Sequence, residues 1–304
     1  MTTSTAVATP NEGRFTREKL VGVLAEVCSR AGYDHRGAKL LKFTANAVFQ
    51  LAGQPVVVRI AGSSALRHRV RKVVRVANWL AEHDVPAVRL VPNIPQPVVV
   101  GDYLATVWRQ VPDGGRRPNG RDLGRLLRRV HSLPAPAGLP EWAPLDDVRR
   151  RLGDAEELSG ADRVFLQDRC DVLTERLAAL RFPLGACVVH GDAHLGNLIG
   201  SPTGPVLCDF DSTCLGPPEW DLTPLPVGLS RFGGSPQAYR QLVETYGFDV
   251  TRWSGYPVLR DVRELKLATS VLPILRSHPG VRGELHRRLA SMRSGDAAVW
   301  SRYR

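Results

Sequence analysis

Long apolar runs are missing: no stretch approaches eighteen consecutive apolar residues, so no segment is long enough to cross a bilayer as a helix. Paired cysteines are missing too. Cys28, Cys170, Cys187, Cys208 and Cys214 are scattered, odd in number and without a CxxC spacing, which argues against a disulfide frame or a zinc site and for reduced thiols in a cytoplasm. Lysine is scarce, five of 41 basic residues, so the net charge of +11 and the pI near 10 are carried by arginine. The densest basic stretch, LRHRVRKVVRVANWL at 66–80, would suit a phosphate-backbone reader. No nucleic-acid module accompanies it, so it reads as a solvated helix face and nucleic acid is not the expected partner. The opening MTTSTAVATPNEGRF has neither an apolar core nor a basic leader, and residues 1–14 read as a frayed tail rather than a secretory signal.

What is present suffices for a large core, with 43% hydrophobic residues in 304. TREKLVGVLAEVCSRA at 16–31 has helical spacing, with Thr16 as N-cap and Gly32 as stop. AKLLKF, NAVFQLAG and PVVVRIAG follow as short strands, the last two joined at Gly53-Gln54. The basic helix, about 65–83, precedes PVVVG and YLATVWRQV, which pair around Gly101-Asp102. Residues 15–111 thus read as a small antiparallel sheet with two helices, and Pro112-Asp113-Gly114-Gly115 marks a boundary with a second region, 112–304. That region is expected to hold the amphipathic helix GRDLGRLLRRVHSL, a Pro-rich connection at 133–145, a helix over 161–181, a strand block GACVVHGD, NLIG and PVLCDFD turned at Ser201–Gly204, and a helical remainder.

The strand block carries the chemistry. In VVHGDAHLGN, Asp192 precedes Asn197 by five positions, and Asp209 follows the next hairpin in CDFD. Kinases space a base, an amide ligand for Mg²⁺ and a carboxylate ligand for Mg²⁺ in this order, because phosphoryl transfer needs positioning and charge neutralisation more than covalent help. Mg²⁺ needs only one or two protein oxygens when phosphates supply the rest. Plainer readings are a turn-capping carboxylate for Asp192 or Asp209, structural histidines at His190 and His194, a helix cap at Asp221 and a small buried strand residue at Cys208.

HGDAHLGN, LCDFD and GPPEWDL together resemble the aminoglycoside phosphotransferase family, which includes choline kinase-like enzymes. The resemblance runs from residue 38 to 222. It implies an α+β, protein-kinase-like bilobal fold, with a small antiparallel-sheet N-lobe, a mainly helical C-lobe and nucleotide in the cleft. It also implies a nucleotide-dependent O-phosphotransferase acting on a small hydroxylated antibiotic or metabolite. Asp192 then corresponds to the catalytic base, His190 to the loop-orienting histidine, and Asn197 and Asp209 to Mg²⁺ ligands. Asp211 falls at an acidic position that assists metal or structure, His194 in the loop's own structure, and Asp221 at the aspartate that braces the loop. Trp108, Gln110 and Val111 fall at the interlobe hinge, which meets the base of ATP or GTP.

Two features depart from the pattern. Arg59, in PVVVRIAG, stands where a phosphate-binding lysine or arginine is expected, but 62–81 contains no acid to pair with it. The turn FTANAVF is not glycine-rich, leaving Thr44 and Asn46 to approach phosphates. Residues 222–304 hold thirteen basic against six acidic residues, so a neutral, singly charged or anionic acceptor fits better than a polyamine, unless Glu244, Asp249, Asp261 and Glu264 gather into a local acidic pocket. The competing expectations are a silent kinase-like binding module, and a hydrolase holding metal on His190, Asp192 and His194. A monomer and a homodimer are both compatible with the sequence.

Overall fold

A computed structural model of the chain describes residues 17–43, 46–61, 67–276 and 278–303. In chain order its elements are α1 Arg17–Ala31, β1 Lys39–Phe43, β2 Asn46–Gln50, β3 Val56–Ala61, α2 Arg67–Glu82, β4 Val98–Val100 and β5 Tyr103–Arg109. There follow α3 Gly120–His131, α4 Asp146–Asp154, α5 Gly160–Ala178, β6 Cys187–Val189, β7 Leu198–Ile199, β8 Val206–Leu207 and β9 Cys214–Gly216. The chain continues with α6 Pro218–Leu222, α7 Pro224–Phe232, α8 Pro236–Tyr246, α9 Tyr256–Ala268 and α10 Arg282–Ser294. Two compact units emerge: 1–117 with 199–211, and 118–198 with 212–304.

The first unit is built on a five-stranded antiparallel sheet ordered β1-β2-β3-β5-β4. β3 is central and rich in β-branched residues, which pack well on a pleated surface. In α1, Leu20, Val23, Leu24, Val27 and Cys28 recur at helical spacing and bury against Phe49, Val58, Ile60 and Val107. The expected cap Thr16 lies outside the described residues. In α2, Val70, Val73, Ala77 and Leu80 are buried, which accounts for the apolar half of the basic stretch. Segment 199–211 joins this unit through Leu207, whose N–H donates to the Pro86 carbonyl and whose carbonyl accepts from Val88 N–H. Phe210 then lies 6.3 Å from Trp108, centroid to centroid.

In the second unit α3 opens with a capping box: the Asn119 side chain accepts from Asp122 N–H, and the Asp122 carboxylate accepts from Asn119 N–H. Gly120 and Gly124 let α8 approach α3 closely, for a Cβ at Gly120 would stand 1.8 Å from the Ala238 carbonyl oxygen. A core of Leu152, Leu166, Leu173, Trp220, Leu259 and Leu265 joins α4, α5, α6 and α9. The expected strand 185–192 is ladder-paired only over β6, whose partner β9 was not anticipated; three residues are too few to show alternation. α4 was missed as well, and its nine residues follow directly on a Pro-rich connection.

Candidate active site

The HGD loop leaves β6 and turns at once. Gly191 has φ +83°, and a Cβ there would lie 2.1 Å from the Ser212 carbonyl oxygen, so only glycine fits. Asp221, fully buried at the start of α6, fixes the turn: its carboxylate accepts His190 N–H at 2.6 Å and Gly191 N–H at 2.8 Å. His131 Nε2 lies 3.0 Å from the same carboxylate, with its Nδ1 2.9 Å from the Tyr246 hydroxyl. Trp220 Nε1 donates to the Gly191 carbonyl at 2.9 Å. Inside the loop the histidines serve the backbone: His190 Nδ1 accepts from Asp192 N–H, and His194 Nδ1 from Gly196 N–H. Asn197 Nδ2 donates to the Asp192 carbonyl at 2.9 Å, fixing the orientation of its amide.

The Asp192 carboxylate is partly buried and held by Arg263 and His194. Arg263, on α9, donates to Oδ1 at 2.5 Å, and His194 Nε2 is 3.7 Å from Oδ2. Burial opposes ionisation, but the Arg263 guanidinium and His194 outweigh it and hold the carboxyl well below its usual range. Because His194 Nδ1 accepts a hydrogen bond in its neutral form, Nε2 carries the proton and points it at Asp192. His131, Trp220 and Arg263 were not foreseen. Arg263 is 71 positions from its partner in a tail with no motif, and only the end of an amphipathic helix marks His131.

In the first unit a cavity of about 200 Å³ is lined by Arg59, Asn46, Trp108 and Asp209 of the expected residues. Lys42, on β1, joins them unforeseen, and Val48, Val57, Val73, Val88 and Phe210 complete an apolar wall. Arg59 pairs with Asp211, which answers the missing helix acid, and Lys72 of α2 donates to the Asp211 backbone carbonyl at 2.6 Å. The helix, which has no acid before its last residue Glu82, thus contributes a lysine, and the acid comes from the CDFD segment. Among the described residues Asp209 is one of three non-glycine residues with positive φ, at +67°, a backbone strain commonly found at functional positions. Burial, and then its hydrogen bond and repulsion with Asp211, push the Asp209 carboxyl up. For Asp211 burial is outweighed by Arg59, so it is the ionised member of the pair. Burial, and then Asp209, push the Cys208 thiol up to about 12, so it stays protonated.

Gln110 and Val111 do not line this cavity; Gln110 N–H donates to the Pro55 carbonyl. Thr44 lies outside the described residues. A half-buried carboxylate pair beside a guanidinium and an ammonium fits a hard dication with phosphates: a cation would relieve the Asp209–Asp211 repulsion and the basic groups would meet the anion. Among the described residues no three His, Cys, Asp or Glu side chains are grouped so as to hold a metal ion, His190, Asp192 and His194 included.

Amicoumacin kinase hAmiN, solved in complex with AMP-PNP, Ca²⁺ and Ami, matches with a TM-score of 0.69 and 15% identity, over 95% of this chain and 96% of that one. Choline kinase LicA from Streptococcus pneumoniae matches at 0.66 and 16%, over 91% and 100%. Spectinomycin phosphotransferase APH(9)-Ia, solved with ADP and its antibiotic, matches at 0.59 and 16%, over 90% and 93%. At these identities the likeness shows a shared fold, the protein-kinase-like one. No curated protein sequence matches the chain. The model of the phosphotransferase enzyme family matches residues 42–261, most of the chain, and the protein belongs to that family of small-molecule kinases.

Proposed function

We propose that the protein moves the γ-phosphate of ATP or GTP to a hydroxyl of a small molecule, an antibiotic or a metabolite, with Asp192 as base. The observation that carries this reading is the cavity beside Asp209, where Arg59 is paired by Asp211 although residues 62–81 hold no acid. Trp108, Phe210 and the valines offer a flat base its apolar contacts, while Arg59 and Lys42 offer the phosphates their charge. Mg²⁺, held by Asp209 and Asn197 with Asp211 assisting, would supply neutralisation of phosphate charge.

Asp192 orients the acceptor hydroxyl through Oδ2, since Oδ1 is engaged by Arg263. Its lowered pKa makes it a weak base at neutral pH. It therefore acts mainly by orientation, taking the proton late, as the acceptor oxygen bonds to phosphorus and the β–γ bridging P–O bond breaks. His190, His194 and Asp221 position the loop. The Arg59–Asp211 pair favours this active reading over a silent module.

Thermal unfolding with Mg²⁺ and non-hydrolysable ATP or GTP analogues tests the reading. At about a hundred times its dissociation constant a nucleotide stabilises by about 2.7 kcal/mol, a rise of several degrees. That rise should vanish in Asp209→Asn and persist in Asp192→Ala. A wild type that neither nucleotide stabilises would sink the proposal.

A further inference from the structure

The second unit holds a cavity of about 420 Å³ of which His194, Leu195 and Gly196, the end of the HGD loop, form one wall. Leu225, Phe232 and Leu267 give it an apolar surface, and Arg263 and Arg302 give it charge. Among the described residues that line it there is no Asp or Glu. The four tail acids that could have made a cation pocket are engaged elsewhere. Glu244 pairs with Arg121, and Asp249 accepts from the Tyr239 and Thr251 hydroxyls. Asp261 is shared by Arg169, Arg176 and Arg260, and Glu264 takes both Nε and Nη2 of Arg231.

The two arginines of the cavity differ. Arg263 is buried and turned onto Asp192 at 2.5 Å, so much of its charge is answered. Arg302 is exposed, and its guanidinium meets no partner among the described residues. A polyamine placed here would meet two guanidiniums, an imidazole and no carboxylate in the lining, which is repulsive design against cations. A lone planar guanidinium above an apolar wall suits a carboxylate, which it can hold with two parallel hydrogen bonds.

We propose that the acceptor is a hydroxy acid with an apolar body: carboxylate on Arg302, body against Leu225, Phe232 and Leu267, hydroxyl toward Asp192. This rests on the phosphotransferase reading above. In the reaction the acceptor's hydroxyl oxygen gains the γ-phosphoryl group, its proton passes to Asp192, and the nucleoside diphosphate leaves with the electrons of the broken bridging bond.

Three probes on one skeleton test it by titration calorimetry with Mg²⁺ and a non-hydrolysable ATP analogue present: phenyllactate, phenyllactamide, and the amino alcohol in which aminomethyl replaces the carboxylate. Phenyllactate should bind about tenfold tighter than the amine, with the amide between. In Arg302→Gln, an exposed change that leaves the core untouched, the acid and amine should come within about twofold of each other. An amine that binds as well as the acid, a preference that survives Arg302→Gln, or binding by none of the three overturns the proposal. The nucleotide titration separates the two failures. Nucleotide stabilisation without acid preference leaves the kinase reading standing and removes this one. Acid preference without nucleotide stabilisation removes the kinase reading, and the acceptor role with it.

Discussion

Asp192 accepts a hydrogen bond from Arg263 and has His194 Nε2 within 3.7 Å, whereas Asp209 shares a hydrogen bond with a second carboxylate, Asp211. Both burials raise the cost of a charge. Around Asp192 the Arg263 guanidinium, with His194, more than offsets it, and around Asp209 a like charge adds to it. One carboxylate is therefore held ionised by the protein's own side chains, ready to receive a hydroxyl. The other is left in a repulsion that a proton or a bound cation would relieve, in a left-handed backbone conformation at φ +67°. On the proposed function, the contrast would separate a group that orients an acceptor from a group that recruits metal, and it can be tested from the scaffold inward.

The largest effect should come from the brace beneath Asp192. Asp221→Ala leaves the N–H groups of His190 and Gly191 without their shared acceptor and strips His131 of its buried partner. Breaking such an arrangement costs about 3–5 kcal/mol, read as a lowered thermal midpoint. Gly191→Ala comes next, at about 2–3 kcal/mol, since a methyl group would meet a backbone oxygen at 2.1 Å on top of the positive φ. Gly185→Ala is the control. Its φ is +74° but nothing lies within 4 Å, so about 1 kcal/mol is expected. Equal losses at the two glycines would mean that the HGD turn is not sterically fixed.

The motif positions of both aspartates were readable from the sequence, because the spacing of Asp192, Asn197 and Asp209 reflects a local chain path of a loop and a hairpin. Helix α1, the strands β1 to β5 and the helix α3 were readable for the same reason, from periodicity and turn residues within one element. What sets each aspartate's charge state was not. Arg263 reaches Asp192 from 71 positions away and Arg59 reaches Asp211 from 152, and neither separation leaves a pattern in a chain already crowded with arginine. Lys42 carries no motif, and the strand it shares with Lys39 gives no sign of which lysine faces the cavity. The lack of an acid over 62–81 is visible in the sequence, but its consequence depended on where the CDFD segment folds.

The smallest effect is the sharpest test, because it turns on sign. Without Mg²⁺ at neutral pH, Asp192→Asn removes a carboxylate that the Arg263 guanidinium and the His194 N–H favour, and should destabilise by about 1 kcal/mol, an amount discounted for the partial exposure of the side chain. Asp209→Asn removes one half of a repulsive pair, and should stabilise by about as much. The pH dependence separates them further. Asp192 has a folded pKa below its unfolded value near 3.9, so its contribution is present above that value and is lost as pH falls through the folded pKa. The gap between wild type and Asp192→Asn should therefore close on acidification below about pH 4. Asp209 has a raised folded pKa, so its proton is held more tightly by the folded protein, and stability is lost as pH rises through that pKa. The advantage of Asp209→Asn should accordingly grow as pH rises above about 4 and reverse on adding saturating Mg²⁺, which stabilises only the wild type. Stability curves of the two variants that move together with pH would show that the aspartates share one environment, and the division between orienting group and metal ligand would fall.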